Sequence, residues 1–235
     1  MKEKRVFAGR LCLLSGCFIA LILSAVLLWA DVEALLYGFG HYGKQATSRM
    51  KCPHFLTVGE TGLIRVRFKN TTSQTIRPTV KFQASATQLF RTRTVSLQLA
   101  PGESQTVVWE VGSQDVVWRH FIFVKMYTFA AYPMPDVEQT CGILVINVPW
   151  LRGQQIYLLT MTISLVLIGV GGWRLFSEQA ATNRLALRRR SLIFLAVLSV
   201  ADLGVVSLGW WPPGILLTAV AILMIGILIG QWLLR

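Results

Sequence analysis

Histidine, carboxylate and cysteine side chains carry much of enzymatic chemistry, and this chain spreads them thinly. The histidines are His41, His54 and His120, too scattered to make a metal-ligand pattern. They read as surface or packed imidazoles. No HExxH, CxxC, GxSxG or Walker loop is present, so the nucleophile elbows, zinc sites and phosphate cradles built on those spacings have no counterpart here. Glu60 and Glu103 fall in turns, while Glu110 and Asp115 flank a loop. No two carboxylates stand at a spacing that argues for paired acid–base work. The sequence points away from an enzyme and calls for no cofactor and no metal.

Two polar features remain. Asp202 sits in the middle of an apolar run, where a carboxylate is costly and usually faces protein. It either carries charge, as a proton relay or paired with a cation on another subunit, or it is held by a hydroxyl from Thr160, Ser164 or Thr218. Cys12 and Cys17 lie inside another apolar run and act there as small apolar residues. Cys52 and Cys141 lie between the runs. An oxidising compartment lets them pair, and two free buried thiols are the alternative.

The elements that hold these residues follow from composition. Of the 235 residues, 54% are hydrophobic and 14% charged, against roughly 25% charged in a soluble domain. The mean hydropathy is +0.55. Leu11–Trp29, Ile156–Trp173, Leu192–Trp211 and Ile215–Leu234 are each long enough to cross a hydrocarbon core of roughly 30 Å. Trp29, Trp150, Trp173, Trp210, Trp211 and Trp232 cluster at their ends, where indole suits the headgroup layer. The net charge of +12 does not indicate nucleic acid, because 10 of the 23 Lys and Arg residues flank the apolar runs. That asymmetry places Met1–Arg10, Leu175–Arg190 and Arg235 in the cytoplasm and residues 31–153 outside. Arg188, Arg189 and Arg190 are then set to contact anionic lipid. "LSGC" at Leu14–Cys17 matches a lipobox and "LLWADVEA" offers a small-residue cleavage site. The apolar run continues well past Cys17 and is long for a signal peptide, which favours an uncleaved span.

Between the first and second spans the period changes from helical to alternating. Ile64, Val66 and Phe68 alternate with Arg65, Arg67 and Lys69, a half-buried strand with an apolar inside and a basic outside. Further strands are expected over Thr79–Ala84, Thr94–Leu99, Gln105–Val111, Trp118–Tyr132 and Gly142–Val148, separated by the turns "NTTSQ" and "PGES". Short strands with turns at this spacing indicate an antiparallel sandwich. The expected organisation is residues 1–30, cytoplasmic N-terminus and first transmembrane helix; 31–50, linker; 51–149, extracytoplasmic β-sandwich; 150–174, second helix; 175–190, basic loop; and 191–235, a helical hairpin turning at "WWPPG". Arg65, Arg67, Lys69 and, on another strand, Lys81 offer a basic face to an anionic glycan or lipid headgroup, with a solvated face as the plainer alternative. Asn70-Thr71-Thr72 is a glycosylation sequon by pattern alone.

The run Val58–Val111 resembles bacterial Ig-like domains of the cell-adhesion-related CARDB kind. The resemblance is carried by Gly59-Glu60 before a strand, Asn70-Thr71 after it, and Leu99, Pro101, Gly102 and Ser104 leading to Val107 and Trp109. It covers about half of the domain and none of the spans, and it implies an extracytoplasmic binding or spacer module. Pro149-Trp150 leads the last strand into the second span, so the loop containing Tyr132, Pro133, Met134 and Pro135 is expected at the opposite end of the domain. Those four residues are the candidate partner-binding surface. Gly226 and Gly230 form a GxxxG that allows close helix packing, within the chain or between copies.

The reading is thus a non-enzymatic accessory, scaffold or adhesion-like membrane protein with a protein partner in the membrane or envelope. The alternative is a subunit of a transport or energy-conversion complex that uses Asp202. A membrane-embedded enzyme is disfavoured, because no second catalytic group accompanies Asp202.

Overall fold

A computed structural model describes residues 2–37, 49–86, 90–129, 132–133, 137–176 and 183–233. The chain divides into two compact units, Met1–Leu28 with Leu158–Arg235, and Trp29–Tyr157.

The first unit is helical. Its helices are α1 (Lys2–Leu36, to Leu28 in this unit), α2 (Gly153–Phe176, from Leu158 in this unit), α3 (Asn183–Ser207) and α4 (Trp211–Leu233). Each of the four contains a stretch long and apolar enough to cross a membrane. α1 and α2 approach through glycine: a Cβ on Gly16 would stand 2.8 Å from the Ile168 nitrogen, and one on Gly171 would stand 2.5 Å from the Leu13 nitrogen. Small residues let helix backbones close to this distance. The Ser164 hydroxyl uses the proximity to donate to the Gly16 carbonyl at 2.9 Å. The turn between α3 and α4 is Leu208–Trp210 rather than "WWPPG". Gly209 takes the left-handed conformation (φ +74°) that ends α3, and Pro212 and Pro213 fall in the first turn of α4, where no N–H partner is needed.

The second unit contains β1 (Arg49–Lys51), β2 (Phe55–Thr57), β3 (Gly62–Lys69), β4 (Thr79–Ala84), β5 (Arg91–Ser96), β6 (Ser104–Val111), β7 (Phe121–Phe129) and β8 (Val137–Ile146). One sheet has the order β1-β3-β6 and the other β2-β8-β7-β4-β5. Ile64, Val66 and Phe68 of β3, Val107, Trp109 and Val111 of β6, and Val80, Phe82, Ile122, Val124, Met126 and Ile143 from the larger sheet meet in one core. Pairing is antiparallel except that β2 runs parallel to β8. The expectation of a purely antiparallel domain is corrected there, because the chain leaves β1 in one sheet and joins the edge of the other in the same direction as β8.

Residues 31–36, expected as the start of a linker, continue α1. Ala30 and Ala34 pack on Phe121 and Phe123, and Trp29 meets Phe121 edge-on at 5.3 Å. The close approach is possible because position 142 lacks a side chain: a Cβ on Gly142 would stand 1.9 Å from the Ala30 carbonyl oxygen. The Gly142 N–H donates to Asp31 Oδ1 at 3.1 Å.

Cys52 and Cys141 form a disulfide across 89 residues of chain. Closing a loop of that length contributes about 4 kcal/mol in the chain-entropy account. In the native, unreduced protein both cysteines should resist alkylation, and Cys141→Ser should lower the unfolding midpoint of the β unit. Free alkylation of both without reductant contradicts the bridge.

Candidate functional site

Tyr132 follows the end of β7, where β4 begins. Thr79 pairs with Phe129 in the β4–β7 ladder, so the chain enters β4 from residues 70–78 at the same end at which β7 finishes. β8 starts at this end and runs from Val137 toward Gly153, where α2 begins. Tyr132 is 90% exposed and Pro133 is exposed beside it. Met134 and Pro135 lie outside the described residues.

The 70–78 loop is fixed by Asn70, which is fully buried. Its Nδ2 donates to the Gln74 carbonyl at 2.7 Å, Leu99 at 3.0 Å and Ala100 at 3.1 Å. Its Oδ1 accepts from the Thr72 N–H at 2.9 Å and the Thr72 hydroxyl at 2.7 Å. The sequon is therefore a structural turn whose amide is enclosed by protein, with no room for a glycan on Nδ2.

At the opposite end, Glu60 holds the first turn of α2, which up to Tyr157 belongs to the β unit. Glu60 Oε2 accepts from the Thr57 N–H at 2.9 Å, the Thr57 hydroxyl at 3.0 Å and the Gly153 N–H at 2.8 Å. Burial pushes its carboxyl up, but the bonds from Gly153 and Thr57 and the charge of Arg152 outweigh this and hold it below the usual carboxylate range. A carboxylate at a helix N-terminus also complements the helix dipole. In the CARDB-like pattern this is the Glu of "GE", and Gly59 before it adopts φ +84°.

A third polar knot binds the two sheets. Asp115, fully buried, takes two bonds from Arg91, Nε at 2.8 Å and Nη2 at 2.7 Å, and a third from the Gly112 N–H at 2.9 Å. The Arg91 guanidinium lies 4.9 Å from the Trp109 ring centre. Asp115 reads in sequence as a loop acid, and only the approach of β5 to the end of β6 reveals its role.

The remaining candidates separate. Lys81 does not join the Arg65–Arg67–Lys69 face: β4 belongs to the other sheet, and the partners in register with β3 are Lys51 opposite Arg65 and Arg49 opposite Arg67. Asp202 is 0% exposed. Of the three hydroxyls considered for it, Thr218 is the holder, with its Oγ1 3.0 Å from both carboxylate oxygens. Ser164 is engaged with Gly16 instead. Gly226 and Gly230 have no neighbour within 4 Å of a Cβ position, so among the described residues this motif packs against no other helix of the chain. Arg189 lies 6.0 Å from the Phe176 ring and Arg190 is exposed, while the Arg188 side chain lies outside the described residues. His54 lies 4.7 Å from the Tyr157 ring, His120 is exposed, and His41 is not among the described residues. No group of three or more His, Cys, Asp or Glu among the described residues is placed to hold a metal.

No protein-family model matches the chain, and no curated protein matches it. Solved structures with partial likeness include the CARDB domain of a Pyrococcus furiosus protein, 13% identical over 43% of this chain and 93% of that one, with a TM-score of 0.35. A Listeria innocua β-glucosidase is 14% identical over 44% of this chain and 16% of its own, with a TM-score of 0.32. Red sea bream transglutaminase is 17% identical over 50% of this chain and 18% of its own, with a TM-score of 0.34. The chain thus spans only a small part of the two enzymes.

Proposed function

We propose that the chain is a multi-pass protein of the cell membrane with four spans, both termini in the cytoplasm, and an Ig-like β-sandwich outside. It acts without catalysis, as an accessory or scaffold subunit whose sandwich binds another envelope component. Four apolar helices, the basic segments flanking them and the Cys52–Cys141 bridge support the membrane and compartment reading. The two-sheet order, with the start of β4 and the finish of β7 at one end, supports the Ig-like reading. Arg188, Arg189 and Arg190 face anionic lipid in this arrangement.

The observation that carries the binding function is Tyr132, almost fully exposed, at the end of the domain where Asn70 holds the 70–78 loop. An exposed aromatic ring is the kind of side chain on which protein–protein hot spots centre. Replacing Tyr132 and Met134 with Ser should abolish recovery of a stoichiometric complex from native membranes while folding and insertion are retained. Recovery of the same complex at the same yield would remove this end of the domain as the docking surface.

Asp202 favours a second reading, transport or energy conversion. It is fully buried, and no cationic side chain pairs with it among the described residues. Solute or proton flux in vesicles that disappears in Asp202→Asn would support that reading over the first.

A further inference from the structure

We infer that the outer face of the β1-β3-β6 sheet is a binding strip for a linear anionic polysaccharide. Alternation along β3 turns Arg65, Arg67 and Lys69 outward, and Lys51 of β1 is exposed directly opposite Arg65. None of these four cations is in an ion pair among the described residues. Their partners on β6 are neutral: Val108 opposite Arg65, Thr106 opposite Arg67 and Ser104 opposite Lys69. The carboxylate that β6 does place on this face, Glu110, stands at the far end opposite Leu63.

Like charges directly opposite across a ladder destabilise a sheet, so Lys51 against Arg65 works against folding. A bound polyanion reverses the sign of that contribution. Along β3 the cations recur about every 7 Å, two residues at a time, a row suited to regularly spaced carboxylate, sulfate or phosphate groups. Arginine is the side chain whose planar fork fits such groups two bonds at a time.

The dimensions select the occupant. A face of three strands and eight residues covers roughly 400 Å², about half of what each partner contributes to a standard protein–protein interface. It also lacks an aromatic anchor, since β3 and β6 turn Phe68 and Trp109 inward, and protein hot spots centre on such residues. The same lack removes the stacking platforms that single-stranded nucleic acid uses. A narrow basic strip without aromatic rings fits an extended charged sugar chain.

The test uses the full chain in nanodiscs of zwitterionic lipid, with alginate as the anionic probe and dextran as the neutral one. Wild type should bind alginate in a salt-sensitive manner and ignore dextran. Arg65→Gln with Arg67→Gln should weaken alginate binding about tenfold, two solvent-exposed ion pairs being lost, and should raise the unfolding midpoint of the free protein. Lys81→Gln, a cation on the other sheet, should leave binding unchanged, as should the Ser variants of Tyr132 and Met134. Binding that survives the double substitution, or that falls equally with Lys81→Gln, would overturn the strip. Because the tip substitutions are scored separately, loss of the protein-docking reading leaves this result standing.

Discussion

A chain carrying Asn70→Asp is expected to lose its folded β unit at neutral pH while Asn70→Ala retains a weakened one. The Asn70 amide nitrogen points at three carbonyl oxygens, those of Gln74, Leu99 and Ala100. Alanine removes the donor and leaves those acceptors short of a partner, at a cost of about 3 kcal/mol. Aspartate does more, placing a buried negative charge against the same oxygens with no cation to compensate it. Burial and that repulsion raise the pKa of the introduced carboxyl above its unfolded value. A raised folded-state pKa makes stability greatest in acid and lost as pH climbs through the folded value. Asn70→Asp should therefore recover part of its stability as pH falls toward the ordinary carboxylate range, and Asn70→Ala should not. Thermal unfolding followed at several pH values separates the two. A pH-independent loss of the same size in both variants would mean that the amide is not oriented toward the carbonyls.

Asp115→Ala should be the next most damaging substitution. Removing one member of a buried pair costs about 3–5 kcal/mol because the other charge is left without compensation. Here the lower end applies: the Arg91 side chain is 35% exposed and turns partly to solvent, whereas Asp115 is fully enclosed. The Gly112 N–H loses its acceptor at the same time. Since Arg91 belongs to one sheet and Asp115 follows the last strand of the other, the two sheets should separate together with this contact. Chemical denaturation is expected to show a midpoint shift without a change of slope. Arg91→Ala alone, which leaves the buried carboxylate uncompensated, should be at least as harmful. If both variants unfold within experimental error of wild type, the pair does not brace the sheets.

The contrast between these knots and the strands shows which part of the structure local pattern carries. Ile64, Val66 and Phe68 were legible because a strand alternates its faces, and β3 does so residue by residue. Asn70, Glu60 and Asp115 were not, because their partners are set by long-range approach. Asn70 reaches Leu99 across 29 residues and Glu60 reaches Gly153 across 93, and no short window contains both ends of such a bond. The end of α1 was hidden for another reason. Asp31 and Glu33 break the hydropathy after Trp29, yet the helix continues because the Trp29 indole donates to Glu33 Oε1 at 2.8 Å. Ala30 and Ala34, one helical turn apart, also find Phe121 and Phe123. Helix packing gave a similar lesson. Gly226 and Gly230 carry the familiar spacing but meet no other helix among the described residues, while Gly9 and Gly16, seven residues apart, face α2. At the candidate docking end, strand direction set the expected place of the Tyr132 segment, while that of the 70–78 turn needed Ig-type connectivity as well.

The measurement that tests the central claim most directly is two-sided cysteine labelling of the full chain in sealed membrane vesicles. Single cysteines at Ser73, in the exposed loop after β3, and at Gln179, in the basic loop between α2 and α3, are read in a background where Cys12 and Cys17 are serine. With both termini and the basic loop in the cytoplasm, Ser73→Cys should react with an impermeant maleimide only from outside and Gln179→Cys only from inside. Reaction of both positions from the same side would contradict the four-span arrangement and, with it, the placement of the β domain outside the cell.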